Sequence, residues 1–364
     1  MPKAISFIPH KERIATHKVE YLRAISDSMD HPWQAEDGRD LAPIQQTLVD
    51  KVSSYTNIPY WCWTDCCTDA LQICIEGLTK EGDTIIVPAY GWRAFANAPT
   101  IMGRKVDFCD IDETGNIDLN FLEDMIIKKA PAAVIIVHNF GTIVDVSKIS
   151  PICQKYGVRI IEDAAPAFVM GEPYTYIPGT SSDVVCYSFD FTKFPGTLGS
   201  GGGIATRFSE LHNRFFELQA HGTNKQREVV RIGTKSFMDV TSCAVLLKEI
   251  EIFEQNNYRE RRRQVATWYN NNLPYKSIPG ENYIWARYTI LTPLKDSKDV
   301  LESLRKVGCL ALSMYREPLH KLPFLTSIIE ECPVAEDFSK RAIMIPCHQY
   351  LEQEELDRVK SAFK

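Results

Sequence analysis

Residues 158–206 read VRIIEDAAPAFVMGEPYTYIPGTSSDVVCYSFDFTKFPGTLGSGGGIAT, in which three short apolar runs are separated by polar and glycine-rich segments. Each run is short enough to predict a buried strand rather than a helix. Asp163 follows the first run, and Lys193 follows the second, shortly before a run of glycines. Both residues therefore lie beyond the carboxyl ends of predicted strands, where open α/β sheets bind their ligands.

A lysine and an aspartate at that edge suggest chemistry with a pyridine cofactor. Burial disfavours the charged form of a lysine, which frees the lone pair of its amine for Schiff-base formation. A nearby carboxylate can keep a pyridine nitrogen protonated, and these are the two protein groups that pyridoxal phosphate needs. The alternative is that Lys193 is a solvated loop lysine and Asp163 a cap at a strand end, since a motif remains a hypothesis until its context fits.

The segments around these two residues resemble a known family. EDAAPA at 162–167, SFDFTK at 188–193 and the glycine run before IAT resemble the DegT family of pyridoxal-phosphate-dependent sugar aminotransferases. That family is a branch of the aspartate-aminotransferase superfamily, which has fold type I. The resemblance implies that Lys193 forms the Schiff base with the cofactor, that Asp163 pairs with the pyridinium nitrogen and that Ser188 binds the cofactor phosphate.

The sequence predicts an α/β fold with a mostly parallel, doubly wound sheet. Strands and helices alternate from about residue 66 to 206, which is typical of such a sheet. The 364 residues suffice for one large domain and a smaller one. We place a large cofactor-binding domain at 1–245 and a smaller α+β carboxyl-terminal domain at 246–364.

Apolar spacing predicts three helical regions outside the sheet segments. Two of them cover 19–29 and 41–56, with a polar turn at 36–40 between them. The third is a long amphipathic helix over 239–273 that has one break. Its basic cluster RERRR is typical of a solvated helix face.

Composition argues against several classes of protein. The net charge of −6 and the pI near 5.8 disfavour a general nucleic-acid surface. The eleven cysteines are scattered within apolar runs of a long chain, which predicts reduced thiols and a cytoplasmic protein. No stretch has the length of a signal-peptide core or a membrane span, and we assign no metal ligands.

A second part of the cofactor site is predicted at the start of a helix. The apolar stripe of ALQICIEGL places Cys67, Thr68 and Asp69 near a helix start, where unpaired amides and the helix dipole favour an anion. The alternative is an ordinary helix capped by Thr64, Asp65 or Thr68. The resembling family binds the cofactor phosphate here, and Cys67 stands where it usually has glycine.

The resemblance also implies residues around the cofactor ring and the substrate. Trp92 falls where the family has an aromatic residue that stacks on the pyridine ring, a contact suited to a flat cofactor; core packing is the alternative. His138 and Asn139 end a predicted strand that borders the cofactor in the family. Tyr315 and His320 would lie towards the substrate side.

Departures from the family pattern occur at several of these positions. Pro166 stands where a glutamine is common, and proline has no side-chain donor. Ser200 replaces a frequent acidic residue. The segment 221–239 resembles the family's loop to a neighbouring subunit, and Lys235 replaces an asparagine that serves that subunit's cofactor phosphate. We therefore expect a homodimer with shared active sites in which Lys235 contacts the phosphate; a solvated lysine is the alternative.

The leading functional hypothesis is an aminotransferase that moves nitrogen from glutamate to a keto sugar linked to a nucleotide. A keto-cyclitol or a keto sugar phosphate are alternative acceptors. Sugar dehydratases of the family lack the cofactor lysine, so Lys193 argues against that activity. The changes at Cys67, Pro166 and Ser200 would suit a non-catalytic or regulatory protein, which retention of Lys193, Asp163 and Ser188 disfavours. No arginine is assigned as a carboxylate clamp.

Overall fold

The computed structural model describes residues 4–30, 41–171, 174–278, 283–323, 325 and 331–363. The polar turn predicted at 36–40 lies outside these residues. Within them, no helix is both long enough and apolar enough to cross a membrane.

A seven-stranded sheet forms the centre of the molecule. Its strands are β1 Tyr60–Thr64, β2 Thr84–Pro88, β3 Lys105–Cys109, β4 Ala133–Val137, β5 Arg159–Asp163, β6 Val184–Ser188 and β7 Gly202–Thr206. Their order across the sheet is β1-β7-β6-β5-β4-β2-β3. Only β7 runs antiparallel to its neighbours in this sheet, so the prediction of a mostly parallel sheet is confirmed.

Apolar side chains bury both faces of this sheet. All five residues of β4 are buried, and alternate residues along it contribute to two different apolar clusters. A strand covered on both faces needs a continuous apolar run, which is why AVIIV and VVCYS form interior strands. Helices supply the covering layers and leave the strand ends open to a ligand.

Twelve α-helices are present among the described residues: α1 His10–Met29, α2 Pro43–Thr56, α3 Cys67–Leu78, α4 Ala94–Ile101, α5 Leu119–Lys129, α6 Ser150–Tyr156, α7 Ser209–Gln219, α8 Val240–Gln255, α9 Tyr258–Asn272, α10 Ser297–Lys306, α11 Pro333–Arg341 and α12 Gln353–Ser361. The predicted break in the long helix falls between α8 and α9, where Asn257 has a left-handed backbone. The first predicted helix starts earlier than expected, at His10.

A smaller antiparallel sheet lies in the carboxyl-terminal part of the chain. It pairs β8, Tyr288–Leu291, with β9, Ala342–Ile345. Alternate residues of β9 pack in a separate apolar cluster, while Ala342 and Met344 join a cluster of the central sheet. β8 is shorter than the apolar run NYIWARYTILTPL at 282–294, whose first residue lies outside the described part of the chain. The predicted boundary between residues 245 and 246 lies within α8 and remains a prediction.

The register of the central sheet brings the ends of five strands together. Val137 pairs with Asp163, and Asp163 pairs with Cys186, so β4, β5 and β6 end at one edge. Gly202, at the start of the antiparallel β7, pairs with Ser188 on one side and with Thr64 on the other. Segments that are far apart in the sequence therefore meet beyond this edge.

Candidate active site

A cavity of about 440 Å³ opens beyond these strand ends. It is lined by eight of the residues that the sequence analysis singled out: Cys67, Thr68, Trp92, Asn139, Asp163, Ser188, Lys193 and Tyr315. Pro166 and Ser200, which depart from the family pattern, line it as well. The structure thus places the predicted lysine, aspartate and serine in one site.

Lys193 is the amine of this cavity. Among the described residues its Nζ has no hydrogen-bond or ion-pair partner, and only its backbone N–H is bonded, to the carbonyl of Asp190 at 2.8 Å. Burial lowers the pKa of Lys193, and the positive charge of Arg287 lowers it further, against the opposing influence of Cys67, Asp163 and Asp190. An amine in this environment is available as a neutral nucleophile and as a proton carrier.

Two buried arginines hold the segment that carries Lys193. Arg13 of α1 donates hydrogen bonds to the carbonyls of Phe191 and Thr197, at 3.5 and 2.5 Å. The guanidinium of Arg262 stacks on the ring of Phe194 at 3.3 Å from its centroid. The lysine segment is therefore fixed from the amino-terminal helix on one side and from α9 on the other.

Asp163 ends β5 and is only 2% exposed. Its Oδ1 accepts a hydrogen bond from the backbone N–H of Ala165 at 2.8 Å, and its Oδ2 has no such partner among the described residues. Burial raises the pKa of Asp163, while the Ala165 amide and the Lys193 amine oppose that rise. The second carboxylate oxygen can accept a proton-bearing nitrogen from a ligand in the cavity.

A cradle for an anion forms where α3 meets β7. Gly202 passes so close to the start of α3 that a Cβ there would lie 2.4 Å from the backbone carbon of Cys66 and 2.6 Å from Oγ1 of Thr64. Only glycine permits this approach, which brings Ser188 next to the helix start that carries Thr68. The amides and dipole of that helix start favour a phosphate.

The start of α3 differs in one detail from the sequence-based alternatives. Its N-cap is Cys66, whose Sγ accepts a hydrogen bond from the backbone N–H of Asp69 at 3.4 Å, rather than Thr64, Asp65 or Thr68. The carboxylate of Asp69 accepts a hydrogen bond from Ser236 at 2.8 Å, and Asp69 is not among the residues lining the cavity. Thr68 is thereby left as the polar side chain of this turn that reaches the cavity.

Aromatic residues form one wall of the cavity. Trp92 is 48% exposed and meets Tyr315 edge to face at 6.4 Å between ring centroids. Phe140 contributes a further ring to the same wall. Tyr315 and Phe140 both have left-handed backbones, which costs about 1–3 kcal/mol for each such residue. Strained residues of this kind cluster at ligand sites, and a flat ring stacks well on such a wall.

His138 does not reach the cavity. Its Nε2–H donates to Oε2 of Glu162 at 2.9 Å, while its Nδ1 accepts the backbone N–H of Val144 at 3.0 Å. The amide of Val144 requires an unprotonated Nδ1, so the ring is neutral and its proton is on Nε2. Glu162 is also satisfied by Tyr176 and the amide of Gly179. The contacts of His138 are those of a core residue, whereas its neighbour Asn139 borders the cavity.

Two other predicted residues lie away from this chain's own cavity. The Nε2 of His320 pairs with Glu336 at 3.2 Å, and its ring packs against Phe108. Lys235 is exposed and pairs through its backbone with Ala220. Within a single subunit, neither residue lines the cavity. The predicted role of Lys235 therefore depends on a second copy of the chain.

Two charged residues of the cavity were not predicted from the sequence. Asp190 precedes the lysine and forms a tight turn by accepting hydrogen bonds from the amide and hydroxyl of Thr192. Arg287 lies just before β8 and borders the cavity from the carboxyl-terminal part of the chain. A sequence signal existed for Arg287, because a single cation within the apolar run NYIWARYTIL needs a reason to be there.

The residues present fit pyridoxal phosphate. The cradle beside Gly202 suits the phosphate, the free oxygen of Asp163 suits a protonated ring nitrogen, and the unpartnered amine of Lys193 suits the aldehyde. No group of three His, Cys, Asp or Glu side chains suited to a metal is found in the described part of the chain. This fold and this site define a pyridoxal-phosphate-dependent aminotransferase.

The chain belongs to the DegT/DnrJ/EryC1/StrS aminotransferase family, whose sequence profile matches residues 16–364. It is 31% identical over 322 residues to the UDP-2-acetamido-2-deoxy-3-oxo-D-glucuronate aminotransferase of Pseudomonas aeruginosa, covering 86% of this chain and 88% of that one. It is 27% identical over 308 residues to a UDP-N-acetyl-3-dehydro-alpha-D-glucosamine 3-aminotransferase of Acidithiobacillus ferrooxidans, covering 82% and 81%.

The fold is also similar to a solved structure of the same family. The crystal structure of a DegT DnrJ EryC1 StrS aminotransferase from Brucella abortus superimposes with a TM-score of 0.87 at 27% identity, over 99% of this chain and 98% of that one. The fold type expected from the sequence is thereby confirmed.

Proposed function

We propose that this aminotransferase takes the amino group of glutamate and transfers it to a keto sugar linked to a nucleotide. The observation that carries the transfer chemistry is that the Lys193 amine, the Asp163 carboxylate and the Ser188 hydroxyl line one cavity. The similar proteins of Pseudomonas aeruginosa and Acidithiobacillus ferrooxidans act on nucleotide-linked keto sugars, which supports this class of acceptor.

Each residue of the cavity has a distinct task in this proposal. Pyridoxal phosphate, when bound, supplies an aldehyde and an electron-withdrawing ring. Ser188, Thr68 and the start of α3 hold its phosphate, and Asp163 keeps its ring nitrogen protonated. The Nζ of Lys193 accepts a proton from the donor's α-carbon and returns a proton during amino-group transfer, which its lowered pKa favours. Trp92 covers the ring and limits access of water.

The acceptor can be identified by a half-reaction. We expect glutamate to convert the enzyme to its amino form. A keto sugar nucleotide with its carbonyl at ring carbon 3 or 4 should then accept the amino group and restore the original visible spectrum. The amino form should be freed of glutamate and 2-oxoglutarate before each acceptor is added, so that only the acceptor can restore it. Stopped-flow absorbance would give the rate for each compound.

The controls for this assay are the alternative acceptors. A keto-cyclitol, a keto sugar phosphate and a simple α-keto acid such as pyruvate should restore the spectrum slowly or not at all. Fast recovery with one of these, together with no recovery with keto sugar nucleotides, would contradict the nucleotide-sugar proposal. A failure of glutamate to produce the amino form would contradict the proposed donor.

We also propose that two copies of the chain share their active sites. The segment 221–239 carries exposed apolar side chains, with Val229 77% and Ile232 94% exposed, and such side chains favour contact with another surface. Lys235 in the same segment is exposed and lies away from the cavity of its own chain. Two-fold dimers are the commonest soluble assemblies, and their interfaces repeat the same surface on both copies.

A mixing experiment tests whether the sites are shared. Lys235→Ala is expected to weaken cofactor retention, because a phosphate loses a cation, and Lys193→Ala is expected to be inactive. Subunits of the two variants, mixed and reassembled, should regain part of the activity, since one of the two sites then has both lysines. Turnover measured after dialysis against cofactor-free buffer reports this recovery.

The mixing experiment also has a clear negative result if the sites are not shared. If both lysines served one site from the same chain, every site in the mixture would keep one defect and no activity would return. Sedimentation of the wild-type protein provides the second measurement, and a fully active monomer would contradict the proposed dimer.

A further inference from the structure

Arg287 is a cation in the cavity wall whose contacts leave most of its donors unused. Its Nη1 donates to the carbonyl of Ala286 at 2.7 Å, and its guanidinium carbon lies 5.0 Å from the centroid of the Phe7 ring. Its backbone N–H donates to the carbonyl of Phe140 at 3.2 Å. The guanidinium therefore contacts one aromatic ring and one carbonyl oxygen within the chain, and it lies at the edge of the cavity.

No carboxylate among the described residues forms an ion pair with the half-buried Arg287, in contrast to the buried Arg104 and Arg13. Arg104 pairs with Glu76 at 2.9 Å, and Arg13 lies 3.8 Å from Glu249. Arg262 has no acid partner but donates to four oxygens, those of Gln349, Trp285, Ala286 and Cys347. A cation removed from water is costly unless it is paired, so the cavity at Arg287 favours an anionic ligand.

The position of Arg287 separates it from the phosphate cradle. Its charge lowers the pKa of Lys193 and opposes the burial that raises the pKa of Tyr315 to about 12, so it lies near both side chains. The cradle is built instead from α3, β6 and β7 around Gly202. An anion at Arg287 is therefore expected to belong to the substrate rather than to the cofactor.

We propose that Arg287 binds a carboxylate of the substrate through its planar guanidinium. This inference rests on the proposed function, which supplies substrates that carry carboxylates. A guanidinium offers paired N–H groups that match the two oxygens of a carboxylate, which a lysine at the same place could not do. The carboxylate comes either from the amino donor or from an acceptor whose sugar is a uronate, and both substrates use this cavity in turn.

Binding of glutarate to the holoenzyme tests the site without any turnover. Glutarate has the two carboxylates of glutamate but no amine to react. Calorimetry should show that Arg287→Gln weakens glutarate binding by about 10- to 150-fold, the range for losing a hydrogen bond to a charged group. Arg287→Lys should recover part of the affinity, and Arg305→Gln, which removes an exposed arginine of α10, should leave it unchanged.

A pH titration gives a second reading from the same proteins. Removing the Arg287 cation removes a charge that lowers the pKa of the Lys193 nitrogen, so the midpoint of the holoenzyme's visible absorbance should move to higher pH in Arg287→Gln. Saturating glutarate should move the wild-type midpoint in the same direction. An unchanged midpoint in both cases would show that no anion site adjoins Lys193.

Amide analogues distinguish the sources of the carboxylate. Isoglutamine lacks the charge of the α-carboxylate, and glutamine lacks that of the side chain. If Arg287 holds one of these groups, Arg287→Gln slows the donor half-reaction with glutamate but not with the corresponding amide. If it holds a uronate, the loss is confined to a keto-uronate nucleotide and is absent with a keto-hexose nucleotide that has an uncharged carbon 6.

The results separate failure of this inference from failure of the proposed function. Equal glutarate affinity in wild type and both Arg287 variants, together with an unchanged half-reaction of Arg287→Gln with a keto-uronate nucleotide, would overturn the inference, as would an equal loss with charged and uncharged substrates. Should Arg287→Gln lose its folded circular dichroism, Arg287→Lys decides the question, and wild-type affinity in that variant counts against a bidentate site. Arginine-dependent glutarate binding with no turnover on any acceptor would refute the proposed function alone.

Discussion

Lys193→Ala is expected to abolish amino-group transfer while leaving the fold intact. The side chain has no bonding partner among the described residues, so its removal breaks no hydrogen bond or ion pair described within the chain. Loss of a positioned general base alone typically lowers kcat by about 100- to 10,000-fold, and loss of the nucleophile adds to that. Steady-state turnover and far-UV circular dichroism measure the two effects.

Two further measurements test the same residue. Reduction of the wild-type holoenzyme with borohydride, followed by peptide mass mapping, should place the pyridoxyl group on Lys193. Added methylamine should restore part of the activity of Lys193→Ala, because a small amine can enter the space that the side chain leaves. Lys155→Ala, in an exposed turn of α6, is the matched control. A pyridoxyl group on another lysine would contradict the assignment.

Asp163→Asn is expected to have the second largest effect. The amide keeps an oxygen for the backbone N–H of Ala165 but cannot carry the negative charge that holds a ring nitrogen protonated. Removing one preorganised electrostatic group typically costs about 100- to 1,000-fold in kcat. The thermal unfolding temperature should change much less, because the size of the side chain and its hydrogen bond to the backbone are kept.

Asp163→Ala provides the contrast. It removes the charge and also leaves the Ala165 amide without its acceptor, so it should lose stability as well as activity. Turnover and cofactor retention should therefore be impaired in both variants, whereas the unfolding temperature should fall mainly in Asp163→Ala. Near-normal turnover in Asp163→Asn would remove the carboxylate charge from the mechanism.

The predictable parts of the site are the residues that directly follow a strand recognisable from its local sequence. VVCYS is buried on both faces and VRII is buried apart from the exposed Arg159, so their apolar runs predicted β5 and β6, and with them the positions of Asp163, Ser188 and Lys193. Glycine at 202 was recognisable as part of a motif. Its steric reason, the contact with Cys66, depends on a strand that pairs with β1 from a distant part of the sequence.

The parts that could not be predicted depend on contacts between distant segments. Arg287 enters the cavity from beside the small sheet, and no local pattern shows which segment that sheet will face. His138 and Asn139 are neighbours in the sequence, but only Asn139 borders the cavity. His138 is hydrogen-bonded to Glu162 on the adjacent strand instead. Residue type and strand position alone do not distinguish such a pair.

The contact of Arg13 with the lysine segment limits how far the chain can be trimmed. The family profile begins at residue 16, so a protein shortened to the matched region would lose Arg13 and part of α1. The carbonyls of Phe191 and Thr197 would then lack their donor, and each buried polar group left unpaired costs about 1–3 kcal/mol. The buried carboxylate of Glu249 would lose its nearby cation as well. Residues outside the family's shared region thus help to build the part of this enzyme that the family has in common.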